Sequence, residues 1–349
     1  MTHGIVAAAP GSGRRLGASP VRGQVVGTRR RARRTWYGSA AGAASASEER
    51  GAVRHAWFAT LVALALLTGS GLARVGDSQA AAPDAAGAAG TTANPSCGPL
   101  TSFNPHAFAH STTINNRWLP WVPGTLFVFQ GRANRGGGLR PHQVVTVVTD
   151  LTKEINGVAT RIVVDLDLNA GQLEEAELAF FAQDDAGNVW SLGEYPEGYQ
   201  DGKFDEAADV WVAGVSGAKA GVVMPAEPRL GTPSYRQGIA LDIEFFDCGK
   251  VLNAGARTCV PGKCYDHAVV IDEWDPLDPE SGHQRKFHAD GVGIVRVAAV
   301  NDPEDETLVL SDVRRLGPQG MAKARELALR LERRAYQVSD VYRHTPPAK

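Results

Sequence analysis

Phe180-Phe181-Ala182-Gln183-Asp184-Asp185-Ala186-Gly187-Asn188-Val189-Trp190-Ser191-Leu192-Gly193-Glu194 places an aromatic and apolar run on each side of a short polar segment. Asp, Gly and Asn tolerate positive φ or bond their own backbone, as a tight turn requires, and the flanks suit a pleated, half-buried surface. This is a β-hairpin signature, and the chain on either side repeats it. Residues 124–131 read as a first strand and 132–140, with Gly136-Gly137-Gly138, as a flexible loop. Residues 143–151 form a β-branched strand, Asn156-Gly157 a tight turn, and 159–168 the returning strand. Asn169-Ala170-Gly171 turns the chain again. Leu173-Glu174-Glu175-Ala176-Glu177-Leu178 has helical propensity, but its neighbours favour a strand over 172–183.

Beyond the opening hairpin, 195–209 reads as a loop containing a short strand, and Val210-Trp211-Val212 as a short strand. Residues 214–231, punctuated by Gly and Pro, are expected to wrap the sheet edge. Strands then run over 234–252, 264–274, 283–287, 291–300 and 306–313. The last element differs. Met321, Ala324, Ala328, Leu331, Ala335 and Val338 recur at helical spacing over 318–339, with Pro318 suited to the first turn. Strands joined in sequence by short turns predict a mainly β fold: an antiparallel meander forming a curved sheet or open barrel of about ten strands, closed by one C-terminal amphipathic helix. Residues after Tyr342 read as a frayed tail.

Not all 349 residues belong to that fold. Residues 1–54 are rich in Ala, Gly, Ser and Arg, and 57–73 are an uncharged apolar run of 17 residues followed by small side chains. A basic leader followed by one apolar run is the layout of a secretory signal, with retention as an uncleaved N-terminal anchor the alternative. Arg33-Arg34-Thr35-Trp36 loosely resembles a twin-arginine signal, but it stands far ahead of the apolar run, with Glu48 and Glu49 between. A start nearer Arg50 is the simpler expectation, and no lipobox cysteine follows the run. The chain therefore divides into a leader and signal (1–79), a disordered Ala/Gly/Thr linker (80–96), a β-rich domain (97–317), its helix (318–339) and a tail (340–349). The first 79 residues hold 11 arginines and 3 acidic groups, which leaves the remainder at a net charge of −10. An acidic exported domain is unsuited to nucleic acid.

All four cysteines follow the signal, which in an exported chain favours two disulfides. A Pro261-Gly262 turn between Cys259 and Cys264 sets those two across a hairpin, and Cys97 with Cys248 follows by elimination. A zinc site is the rival, but the spacing is not C-x-x-C.

Phe103-Asn104-Pro105, Trp118-Leu119-Pro120 with Val122-Pro123-Gly124-Thr125, and Ala182-Gln183-Asp184 with Gly187-Asn188-Val189-Trp190 stand in one order. Glu273-Trp274 with Pro276-Leu277 and Ala289-Asp290-Gly291-Val292-Gly293-Ile294-Val295 continue it. The ordered set resembles a family of uncharacterised exported bacterial proteins, largely actinobacterial, over roughly residues 103–300. The resemblance implies secretion and a β-rich fold, and it carries no catalytic residues over. The cysteine cluster and the C-terminal helix lie outside its pattern.

Candidate chemistry is sparse. Asp275 and Asp278 lie in one acidic turn, and Asp302 and Asp305 in another. In a meander the two turns fall at the same end of the sheet, where hard oxygen ligands could hold Ca²⁺; two solvated turns that protect sheet edges are the plainer reading. No cofactor is otherwise expected. Asp165 and Asp167 share a strand face. Ordinary alternation exposes that face, whereas a barrel would turn it inward as an acid and base for glycoside cleavage. His106 with His110, and His283 with His288, make no convincing metal pair. There is no Gly-x-Ser-x-Gly elbow. Trp118, Trp121, Trp190, Trp211 and Tyr195 could form a stacking surface for a sugar or apolar ligand, or simply fill the core. The leading expectation is a secreted or cell-envelope binding module without catalysis, for an apolar or carbohydrate ligand or an envelope partner. A secreted hydrolase or lyase acting on an extracellular polymer, and a structural surface protein, are the alternatives.

Overall fold

The computed structural model describes residues 97–349, together with a two-residue antiparallel backbone pair of Arg33–Arg34 with Ser39–Ala40. The expected signal run and the linker lie outside the described residues. Among the described residues no helix is long and apolar enough to cross a membrane.

Fourteen strands follow a lead-in segment. They are β1 (Thr125–Asn134), β2 (Leu139–Ile155), β3 (Val158–Asn169), β4 (Gln172–Gln183), β5 (Val189–Gln200), β6 (Lys203–Glu206) and β7 (Trp211–Val212). Then come β8 (Lys219–Met224), β9 (Tyr235–Ala240), β10 (Phe245–Val260), β11 (Lys263–Trp274), β12 (His283–Ala289), β13 (Gly293–Val300) and β14 (Thr307–Arg315). The helix α1 spans Pro318–Val338. The turns form where the sequence places them. Asn156 and Gly157 both hold positive φ, 49° and 78°, as a two-residue hairpin loop demands.

Strands β1 to β6 and β8 to β14 each pair antiparallel with the next, as the meander requires, and β14 returns to pair with β1. The expected sheet edge at 214–231 is instead the closing strand: β8 pairs with β5 on one side and β9 on the other. Gly221 permits this close approach, since a Cβ there would stand 2.4 Å from the Arg236 carbonyl oxygen. Twelve strands thus close a barrel, with β6 and β7 as short additions beside β5. Closure removes both free edges, each of which would leave backbone donors and acceptors unpaired. The segment read as one strand over 234–252 is two, broken by a 3₁₀ turn at Leu241–Ile243 that ends on Glu244 at φ 58°.

Side chains of β2, β3 and β4 are buried on both faces. Their outer face carries α1, whose Ala324, Leu327, Ala328, Leu331 and Ala335 are buried against it. Each leucine buried this way contributes roughly 1.5–3 kcal/mol. The C-terminal tail is docked rather than frayed. Lys349 and Thr152 exchange both backbone hydrogen bonds, and Tyr342 is fully buried beside Phe180 and Tyr195. Lys153, also fully buried, donates to Glu332 at 2.7 Å and to the Pro346 carbonyl at 2.7 Å, fastening helix and tail to β2.

Both expected disulfides are present. Cys97 joins Cys248, and Cys259 joins Cys264 across the β10–β11 turn.

Candidate functional site

Asp165 on β3 and Lys286 on β12 are far apart around the ring, yet they interact, the Lys286 ammonium drawing Asp165 toward its charged form. They can do so only across the lumen, so that strand face points inward. Register extends the inner wall. Asp165 lies opposite Thr146 and Glu177, Asp167 opposite Val144 and Glu175, and Thr146 Oγ1 donates to Asp165. Opposite stand Asp247 on β10, Glu273 on β11, and Gln284 and Lys286 on β12. Lys286 Nζ meets Glu273 Oε2 at 2.6 Å.

The two ends of the lumen differ. One holds Trp121 of the lead-in, packed on Phe127 and Phe181 at centroid distances of 5.7 and 5.9 Å. At the other end the β1–β2 turn brings in Arg135. Its guanidinium lies 2.9 Å from Glu306, 3.4 Å from Asp167 and 3.6 Å from Glu174, and also pairs with Glu304. His142 lies between Asp167 and Glu306, at 3.4 and 3.5 Å.

Between these ends lie carboxyl groups without a matching number of cations. Glu177 is fully buried, and neither of its side-chain oxygens has a hydrogen-bond partner; Asp165 has one such oxygen. Burial disfavours the charged form, and the neighbouring carboxylates add to the effect. Burial, reinforced by Glu194, pushes Asp165 up to about 7 against the opposing bond from Thr146. Burial and then Glu194 hold Glu177 well above the ordinary carboxylate range, as burial and Asp167 do for Glu175 and burial and Asp275 for Asp247. Burial thus favours the neutral form along this wall, whose carboxyls can donate hydrogen bonds or ionise when a cation arrives.

A pH signature follows. A carboxyl raised in the folded state favours folding below its unfolded value, near 4, and that contribution is lost as pH rises through its folded value. Between about pH 4 and 8 the protein is therefore expected to lose on the order of 4 kcal/mol relative to Asp165→Asn, whose amide does not titrate. Urea unfolding across that range measures it, and a pH-independent difference between the two proteins would contradict the assignment.

The acidic turns stand side by side at the Arg135 end, as the meander requires: a Cβ at Gly282 would stand 2.3 Å from the Asn301 carbonyl oxygen. Asp275 Oδ1 accepts from the Leu277 backbone N–H and Asp302 Oδ1 from that of Glu304, while the Asp278 carbonyl accepts from Ser281 Oγ. The Asp305 N–H donates to the Asp302 carbonyl. Among the described residues no group of three or more His, Cys, Asp or Glu side chains is placed to hold a metal ion.

The five aromatic candidates are not brought together. Trp121 closes one end of the lumen. Trp190 packs on Phe103 and Phe108 and donates to Asp184, and Trp211 stacks on Phe245 and donates to Glu194. Tyr195 lies against Tyr342 with its hydroxyl on Glu197, and Trp118 lies under the Arg117 guanidinium.

The exposed-face expectation for Asp165 and Asp167 is overturned. It failed because α1 and the tail take the apolar face of β3 on the outside. Glu175, Glu177, Glu194, Asp247, Lys286 and Arg135 were missed. The turn alone would not have found them: it pairs Asn169 with Gln172 and Leu168 with Leu173, and only a bulge between Asp167 and Leu168 brings Asp167 opposite Glu175 and Asp165 opposite Glu177. Like charges directly opposite are destabilising, so two such pairs in succession mark an unusual wall.

Fold and site together define a closed antiparallel β-barrel with a carboxyl-lined lumen. No family model matches the chain, and no curated protein matches it. Two solved structures are similar. A Bacteroides fragilis protein bearing the name "putative exported protein with YmcC-like fold" is 13% identical with a TM-score of 0.31, and covers 57% of this chain and 100% of its own. A "putative lipoprotein" from Parabacteroides distasonis is 13% identical with a TM-score of 0.28, and covers 57% of this chain and 99% of its own.

Proposed function

We propose that this protein is an exported binding module that holds a polar ligand in the carboxyl-lined lumen without turning it over. The observation that carries the reading is Glu177: fully buried, with neither oxygen hydrogen-bonded, beside Asp165. A buried polar group without a partner costs roughly 1–3 kcal/mol, and more if charged, so the free barrel stores binding capacity that a donor-bearing ligand would release. The wall favours a ligand rich in hydrogen-bond donors, a carbohydrate or an amine, over an apolar one. Export is supported by the basic leader with its apolar run and by the two disulfides. A second reading, a hydrolase, draws on Asp165: a carboxyl held near 7 suits a general acid.

The test is a melting screen of the protein against neutral oligosaccharides, amines and apolar ligands. A ligand bound only by the native state at 100 times its Kd adds about 2.7 kcal/mol, or roughly 5–10 °C for a domain of this size. Glu177→Leu, which fills the wall with an apolar group, is expected to abolish the shift. A shift that survives Glu177→Leu would place the ligand elsewhere, and product release from an oligosaccharide would favour the hydrolase.

A further inference from the structure

The chain supplies its own cations at two points of the lumen. A guanidinium, Arg135, is held at one end by Asp167, Glu304 and Glu306, and an ammonium, Lys286, is held on the far wall by Glu273. On β3 and β4 the same kind of wall continues, but Asp165 Oδ2 and both oxygens of Glu177 have no donor. Resident cations therefore flank a stretch built like their own sites and left without one. A divalent metal does not suit it, since among the described residues no three such side chains are grouped to hold one. A neutral polyol would supply donors but no charge to pair with a carboxylate. An aliphatic amine supplies both, and charge-assisted hydrogen bonds are roughly twice as strong as neutral ones.

We propose, resting on the lumen-binding reading, that the ligand class is a protonated di- or polyamine whose ammonium groups bond Glu177 and Asp165. A carboxyl that holds its proton gives it up to solvent as the amine binds, so the charge inside the lumen stays balanced.

The experiment is calorimetric titration of the full protein with spermidine at pH 7, in two buffers of different ionisation enthalpy, with maltotriose as the neutral probe. Spermidine is expected to bind with net proton release. Glu177→Gln and Asp165→Asn are each expected to weaken it at least tenfold, whereas Asp205→Asn on the exposed β6 leaves it unchanged. Both lumen variants keep the side-chain shape, and their unfolding curves verify that they are folded. Spermidine binding that is equal in Glu177→Gln and the parent, or that takes place without proton release, overturns the amine assignment. Maltotriose binding that depends on Glu177, with none of spermidine, leaves the lumen-binding reading standing and sinks the amine. Binding of neither, and of nothing in the melting screen, sinks both.

Discussion

Replacing Cys97 and Cys248 together by serine is expected to lower stability by about 5 kcal/mol, against roughly 2 kcal/mol for Cys259 with Cys264. The contrast comes from loop length. The first bridge joins residues 151 apart and encloses β1 through β9, so it withdraws a large share of the unfolded chain's freedom. The second spans a separation of 5 at a hairpin tip. The first bridge also has a local role. It fixes the chain where the Gly98 carbonyl accepts from the Arg236 N–H at 2.7 Å, ahead of the lead-in that delivers Trp121 into the lumen. Urea titration of the two double variants is the check, read as the midpoint at constant slope. Equal losses would mean that the chain-entropy argument does not govern this barrel.

Lys286→Met is expected to cost about 3–5 kcal/mol at neutral pH, because it leaves the Glu273 carboxylate buried without its ammonium partner. The loss has a direction in pH. Lys286 draws Asp165, Glu177 and Asp247 toward the charged form, so its removal raises all three further. Protonated carboxyls do not need a counter-ion, and the gap between variant and parent should therefore narrow as pH falls towards 4. Adding Glu273→Gln should recover much of the loss, since no orphaned charge then remains. A single-variant loss below about 1 kcal/mol, flat with pH, would show that Lys286 is not the counter-charge of this wall.

Much of the fold is legible locally. Asn156-Gly157, Asn169-Ala170-Gly171 and the 184–188 turn each carry residues that accept positive φ, and the strands form between them. Pro261-Gly262 set Cys259 against Cys264 by the same reasoning, and the 3.6-residue period marked α1. The segment 214–231 was misread because Gly and Pro usually mark a loop. Gly221 is there so that two neighbouring strands can approach, which is a property of the closed ring and not of the segment.

The site was much less legible, for a reason that begins at β3. Alternation shows that Asp165 and Asp167 face away from Val164, Leu166 and Leu168, but it does not say which side is the inside. The usual assignment puts the apolar side in. Here α1, Tyr342 and Lys153 form an outer layer that buries the apolar side, and the polar side turns into the lumen. By itself the sequence determined the turns, most of the strands between them, the cysteine pairs and the terminal helix, because each depends on contacts within a hairpin or a helical turn, or on a count of partners. Only the tertiary structure decided that the sheet closes and that its carboxyls face one another. Closure depends on β5 meeting β8 and β14 meeting β1, and pairings that distant leave no periodic mark in either strand.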